Sequence, residues 1–439
     1  MTFPSETIPT SSEILTTLFG GTDFKTASLH GEAPRKKKKE FCNMCKDIKL
    51  SFWNYVPFGI VGAERVKEWH EMGFNLPMSY WFDSQKDDKR KMLEILDECL
   101  KYDMKLIVVD DRTHFHNYIN KGKEAFVQEV RAAYEDFGRH PAAFGFFLGD
   151  EPTLEETEAY AEATAIVVKE MPNLTPYCNL VPYWSELQNG SVGAKYYDIV
   201  DSLIKKSGVG YLGYDQYTQC RNEDRDPEGG IDAYFYGLDR FYDVTFKNGI
   251  PFNISLCSVG HWMCRVPTED DIRWQMYTAL AHGARGIVWF YVYQNLIEPS
   301  FRLGPFCGNE LKRTYMADIL SRQNYIFRSA FMEQFNKMEL VEVYHTVKYY
   351  DKSKLFRADK YIAEIAGDKE YPCIISYYKE FDSDKLWASV VNAHQRLSNH
   401  ITVKYVNGKY EDFWLAPGEM KLIDLSEIFG ETHGFSFKR

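Results

Sequence analysis

Eight short apolar runs, each followed by a stretch with helical periodicity, occupy the middle of this 439-residue chain. The runs are Leu50 to Val56, Asn75 to Tyr80, Lys105 to Asp110, Ala143 to Gly149, Thr175 to Val181, Tyr211 to Tyr217, Pro251 to Ser258 and Gly286 to Tyr293. Short, nearly continuous apolar runs read as strands buried on both faces, which is the pattern of parallel sheets. Parallel neighbours need a long crossover, and helices supply it. Ala63, Val66, Trp69 and Met72 recur at helical spacing and stop at Gly73, a residue that closes helices well. Thr153-x-x-Glu156 after Pro152 and Thr268-x-x-Asp271 are capping signatures, and Ile272, Met276, Ala279 and Leu280 form a buried stripe behind the second. Units of about 36 residues, with no dinucleotide glycine fingerprint after the first run, predict a closed (β/α)8 barrel over residues 49–337 rather than a doubly wound sheet.

The rhythm changes after residue 337. Tyr361 to Ala366, Cys373 to Tyr378, Leu386 to Asn392, Ile401 to Tyr405 and Met420 to Leu425 are strand-like, with turns at Asn407-Gly408-Lys409 and Pro417-Gly418. No helical pattern intervenes, so residues 338–439 predict a small C-terminal antiparallel β-sandwich. Residues 1–48 read as a polar leader.

Charge and cysteine content narrow the partners. Sixty-three acidic residues against 52 basic ones give a formal charge of −11, which argues against a nucleic-acid partner. No run approaches the ~20 apolar residues of a membrane span. The first 30 residues lack the apolar core of a signal peptide, so the chain as it stands is expected in the cytoplasm, or exported if a signal was trimmed. Arg35 to Lys39 read as a solvated charge run. The nine cysteines are irregularly spaced, and Cys42-x-x-Cys45 has no second pair to complete a zinc site, so free thiols are expected. No cofactor and no metal are expected. Aromatic residues reach 16%; flat rings fill cores and also stack on the apolar faces of sugars.

In a (β/α)8 barrel the reactive groups sit at the C-terminal ends of the strands. The fourth run ends Phe146-Phe147-Leu148-Gly149-Asp150-Glu151-Pro152. Apolar surroundings and an adjacent anion both raise a carboxyl pKa, and a carboxyl kept protonated near neutral pH is a proton donor. The plainer alternative is that Asp150 and Glu151 merely complement the positive end of the next helix.

An Asp-Glu-Pro ending on the fourth strand resembles the acid/base motif of clan A and related TIM-barrel glycoside hydrolases. The segment Ala281-His282-Gly283-Ala284-Arg285-Gly286-Ile287-Val288-Trp289-Phe290 is similar to the seventh helix and eighth strand of the galactosidase-like members. Trp387 to Asn392, with Leu415-Ala416-Pro417-Gly418-Glu419, looks like the β-sandwich that follows such barrels. The resemblance, over residues 50 to 426, implies hydrolysis of a glycosidic bond in an oligo- or polysaccharide with Glu151 as general acid/base. Two departures stand out. Asp150 replaces the usual Asn, and the end of the seventh run, Ser255-Leu256-Cys257-Ser258-Val259-Gly260-His261-Trp262, offers no nucleophilic carboxylate. Three repairs are open. An Asp-Glu pair also resembles substrate-assisted β-N-acetylhexosaminidases, in which Asp150 would orient the sugar's acetamide. Asp215 at the end of the sixth run would be the base of an inverting pair. Glu298, after the eighth run, would swing in.

The same rim supplies sugar-binding candidates: Trp53 and Tyr55, Asn179, Tyr183 and Trp184, Tyr217, Trp289, Tyr291 and Gln294. A rival cluster of Asp110, Asp111, His114 and His116, with His261 as a distant partner, would make a metal-dependent hydrolase. A barrel that binds glycans without cleaving them is the third alternative.

Overall fold

The computed structural model describes residues 46–60, 62–181, 191–217, 230–261, 264–294, 300–367 and 371–430, with the backbone alone for 191–194. Seven of the eight runs form one parallel sheet. Its strands are β1 (Lys49–Phe52), β2 (Leu106–Val108), β3 (Ala143–Asp150), β4 (Tyr177–Leu180), β5 (Leu212–Asp215), β6 (Phe252–Cys257) and β7 (Gly286–Phe290), in the order β1-β7-β6-β5-β4-β3-β2. The helices Lys89–Lys101, Thr157–Glu170, Ile231–Asn248 and Glu269–Ala281 are among the crossovers.

The second run is the exception. Residues 75–82 make hydrogen bonds to both edges of the sheet but no continuous ladder. The Asn75 and Leu76 amides donate to the Leu50 carbonyl on β1, and Ser79 and Phe82 donate to Ile107 and Val109 at β2. Pro77 explains the break, because it lacks a donor. Asn75 replaces backbone with side chain: its Oδ1 accepts from the Leu50 amide at 2.8 Å and its Nδ2 donates to the Ile48 carbonyl at 2.9 Å. A single segment bonded to β1 and β2 brings the two edges of the sheet together, so the sheet is curled.

Alternate residues on the strands point to opposite faces. Trp53, Met78, Ile107, Phe147, Tyr177, Tyr211 and Val288 pack inside the curl. Phe52, Val108, Phe146, Leu148, Cys178, Ile254 and Trp289 pack outward against the helices.

Beyond residue 337 lie two antiparallel sheets. One has the order β11-β13-β14-β17 and the other β12-β15-β16, after three two-residue strands: β8 (Tyr293–Gln294), β9 (Phe306–Cys307) and β10 (Lys312–Arg313). The strands are β11 (Met338–His345), β12 (Ile362–Gly367), β13 (Cys373–Glu380), β14 (Leu386–Asn392), β15 (Asn399–Tyr405), β16 (Tyr410–Leu415) and β17 (Met420–Asp424). They share a buried cluster that includes Ile362, Ile375, Val390, Ile401 and Val403. β11 and β16 extend the five runs read from the sequence. Helix Glu269–Ala281 opens on the expected capping box of Thr268 and Asp271 and joins the two parts. Its Trp274 Nε1 donates to the Ala393 carbonyl at 2.8 Å, and Ser376 Oγ donates to the Ala281 carbonyl at 2.8 Å. No helix among the described residues is long and apolar enough to cross a membrane.

Candidate active site

The C-terminal end of β3 makes an abrupt turn. Gly149 has φ +146° and Glu151 φ +43°. A Cβ on Gly149 would overlap the Phe115 ring, so only glycine fits there. Glu151 carries a Cβ in left-handed backbone, which costs about 1–2 kcal/mol; such strain concentrates at functional sites. Its amide donates to the Asn179 carbonyl at 3.2 Å, which anchors the turn to β4.

Three carboxyls meet at this edge. Asp150 pairs in register with Asn179, and the Asn179 amide donates to Asp150 Oδ1 at 2.8 Å. Solvent touches Asp150 and Glu151 at the mouth of the site, while protein atoms crowd them on the remaining sides and govern their protonation. Burial pushes Asp150 up to about 6 against the opposing pull of Asn179. Burial, followed by the charge of Asp150, pushes Glu151 up to about 7. Asp215 ends β5, two strands away, and is 8% exposed. Burial, then Glu151 and Asp150, raise it well above the usual carboxylate range. Tyr217 donates its hydroxyl to Asp215 Oδ2 at 3.0 Å, while Oδ1 has no N–H or O–H donor. The Glu151 carboxyl lies within hydrogen-bonding reach of the Asp215 carboxyl.

Over these carboxyls stands Tyr55, 46% exposed. Its ring stacks on Trp53 at 5.9 Å and 5°, and Phe290 and Tyr291 meet it edge-on at 6.0 and 5.6 Å. Burial and then the charges of Asp150 and Asp215 raise its hydroxyl pKa, which places the phenol close to the anionic cluster.

In fold the chain resembles TIM-barrel glycoside hydrolases. A family 39 glycoside hydrolase from the gut symbiont Bacteroides cellulosilyticus aligns with TM-score 0.52 at 9% identity, over 88% of this chain and 82% of that one. A β-galactosidase from the psychrophilic Marinomonas ef1 aligns with TM-score 0.50 at 11% identity, over 66% and 62% of the two chains. One from Bacillus circulans sp. alkalophilus gives 0.50 at 10%, over 67% and 58%. The chain thus spans about three fifths of each β-galactosidase. No family model and no curated protein matches the sequence.

The structure locates the sequence candidates that lie among the described residues. Asp150, Glu151, Asp215, Asn179 and Tyr217 converge at the strand ends. Tyr291 lines the inner cluster beside Tyr55. Trp53 is buried, with its indole N–H donated to Ser255 Oγ at 2.9 Å across the curl; Tyr55 above it presents the open ring. Trp289 is a correction: it is fully buried on the outward face, where Nε1 donates to Asn324 Oδ1 at 3.3 Å. Gln294 is another. Its amide is consumed by the loop beyond, donating to the Phe301 carbonyl at 2.7 Å and accepting from the Gly304 amide at 2.9 Å. Tyr183, Trp184, Glu298, the Cys42–Cys45 pair and the Arg35–Lys39 run lie outside the described residues.

The end of β6 carries no carboxylate. There Ser258 Oγ donates to the Tyr291 carbonyl at 3.3 Å, and His261 stacks on Phe301 at 5.7 Å. The rival metal cluster is dispersed. Arg112 grips Asp110 through Nε at 2.9 Å and a terminal nitrogen at 2.7 Å, and Asp111 accepts from the Ser84 amide at 3.0 Å. His116 pairs with Glu156 at 3.1 Å. Among the described residues no three His, Cys, Asp or Glu side chains group closely enough to hold an ion. Sequence reasoning missed Ser255, which gave no signal in an apolar run, and Trp81, one residue beyond the end of the second run.

Proposed function

We propose that this chain is a glycoside hydrolase acting on an oligo- or polysaccharide, built as a (β/α)8 barrel in which residues 75–82 take the place of the eighth strand and the two C-terminal sheets form a sandwich. The observation that carries the reading is the Glu151 carboxyl, held at about 7 by burial and Asp150, with Asp215 in reach across the strand ends.

The chemistry follows from one proton on that pair. In the free protein Asp215 is raised well above the usual carboxylate range and holds the pair's proton. The reaction needs that proton on Glu151, whose O–H donates to the glycosidic oxygen as the bond breaks, with Asp215 then anionic, steadied by the Tyr217 hydroxyl and facing the positive charge developing at the anomeric carbon. Carboxyls within hydrogen-bonding reach are closer than the ~6.5–9.5 Å of inverting pairs and nearer the ~5–5.5 Å of retaining ones. We therefore assign Asp215 as nucleophile, on β5 rather than at the end of β6. Glu151, deprotonated after the first step, then takes a proton from the water that releases the sugar. Burial, with the charge of Asp150 second, holds Glu151 up near neutral pH, and Asn179 fixes Asp150.

A second reading has its own support. Asp150 is also placed to polarise a 2-acetamido group, with the sugar's own oxygen as nucleophile. A panel of aryl glycosides with and without the acetamido group, run on wild type, Asp150→Asn and Asp215→Asn, separates the two. Retention on plain glycosides with activity lost in Asp215→Asn supports the assignment. Activity confined to acetamido sugars and lost in Asp150→Asn replaces it with substrate assistance. Glycan binding without any turnover refutes hydrolysis altogether.

A further inference from the structure

Trp81 and His114 pack against β3 just before its carboxyl end, Trp81 on Phe147 and His114 beside Gly149. Trp81 is 42% exposed, yet it is not loose. Its backbone bridges to Pro57, its ring meets Phe147 edge-on at 6.3 Å, and His114 lies 5.8 Å away. Phe147 also packs edge-on against Trp53 at 5.5 Å, and Trp53 carries Tyr55. The two exposed rings therefore lean on one buried pair. Phe147 sits three residues before Asp150 on β3, so the Trp81 ring is tied to the strand that delivers the proton donor.

His114 completes the position. It stacks on Phe115 at 5.2 Å, the ring that fills the space left open by Gly149. Burial and then His116 push its pKa down to about 4, so it is neutral at neutral pH. Its Nδ1 accepts from the His116 amide at 3.4 Å, which leaves the proton on Nε2 as a donor. A fixed flat ring open on one face beside a neutral hydrogen-bonding group matches a pyranose, which has an apolar C–H face and a polar edge.

We infer that Trp81 and His114 form a second sugar-binding position adjoining the reacting carboxyls, so that the substrate is a saccharide of at least two recognised residues. Isolated surface aromatics are common. Here the ring is fixed from three directions and continuous with the site, as packing alone would not require. The inference rests on the glycosidase reading and narrows its substrate.

The probes are 4-nitrophenyl monoglycosides and β-linked gluco-, xylo-, galacto- and N-acetylglucosamine oligosaccharides of one to six units. Turnover is compared in wild type, Trp81→Ala, Trp81→Phe and His114→Ala, and binding is measured by calorimetry in Glu151→Gln with and without Trp81→Ala. Covering about 60 Å² of indole at ~25 cal/mol per Å² corresponds to roughly tenfold in affinity. For the active sugar, kcat/KM should rise from monoglycoside to oligosaccharide, and Trp81→Ala should cut the ratio of the two about tenfold while Trp81→Phe retains most of it. An unchanged ratio, or no gain with chain length, overturns the inference. If nothing is hydrolysed but an oligosaccharide binds Glu151→Gln and the Trp81→Ala change weakens it tenfold, the sugar position stands and the hydrolase reading falls. If no member of the panel binds, the position is refuted.

Discussion

Replacing Asp150 by Asn tests the electrostatics of the site with a change of one atom. The Glu151 carboxyl rises from an ordinary 4.5 to about 7. Burial contributes most, Asp150 comes second and the Asp215 hydrogen bond opposes both, so the anion supplies the smaller of the two upward pushes. The amide removes the charge and keeps an oxygen for Asn179 to donate to. Glu151 should then titrate about one pH unit lower. Proton donation requires the protonated form, so the high-pH limb of kcat/KM should move toward acid by that amount. At pH 8 the variant would hold about tenfold less of the active acid than wild type. The assay is a pH–rate profile from 4 to 9 on the aryl glycoside turned over best. A carbon-13 titration of the Glu151 carboxyl gives the same quantity without substrate. The height of the profile changes for several reasons; its position responds to the charge. A limb that stays within roughly 0.2 pH units of wild type, or moves toward alkali, refutes the role given to Asp150.

Glu151→Gln should lower the rate on unactivated glycosides by roughly 10²–10⁴ and far less on substrates with a good leaving group; equal losses on both would exclude it as the proton donor. A carboxyl whose pKa is raised in the folded state is stabilising below its unfolded value and loses that contribution as pH rises through the folded one. Glu151→Gln and Asp215→Asn should therefore raise the melting temperature more at pH 8 than at pH 5, as calorimetry at both values checks. Arg112→Ala leaves the buried Asp110 carboxylate without its guanidinium, keeping only the residue-112 amide as donor, and should destabilise the fold by about 3–5 kcal/mol in urea unfolding. A loss below about 1 kcal/mol would mean that Asp110 finds another partner.

The parallel sheet was legible because strands buried on both faces must be apolar throughout; β2 and β4 to β7 lie within the runs read from the sequence, and β1 and β3 overrun theirs by one residue each. The same property hides orientation. On β7 Val288 points inward and Trp289 outward, and nothing in Gly-Ile-Val-Trp-Phe distinguishes the two faces, so an aromatic in that strand carries no address. Trp53 and Tyr55 illustrate the related ambiguity of depth: both end β1 on the same side, and only packing decides which is covered. The irregular segment 75–82 departs from a strand through Pro77 and Asn75, both visible in the sequence, though the hydrogen bonds that replace the ladder are not. β16 was missed because Tyr-Glu-Asp-Phe-Trp-Leu carries its charges on an exposed edge. That Glu151 follows and Asp215 ends a strand of the parallel sheet was accessible from the sequence, since each stands where an apolar run stops. Their mutual contact depends on the curl of the sheet, which periodicity does not encode.

Helix Glu269–Ala281 buries ten of its thirteen residues, Trp274 and Tyr277 among them. A surface helix keeps one polar face for water; this one has none to spare, because the parallel sheet covers one side and β13 and β14 the other. Exchange of the C-terminal sheets for those of another protein would thus have to reproduce the seat for Trp274, down to the Ala393 carbonyl that accepts a hydrogen bond from its indole N–H. The chain cannot be recombined as independent cassettes at residue 337. Insertions and fusions that respect this helix should be confined to the loops facing away from it, and natural variation in the two halves is expected to be correlated across that contact.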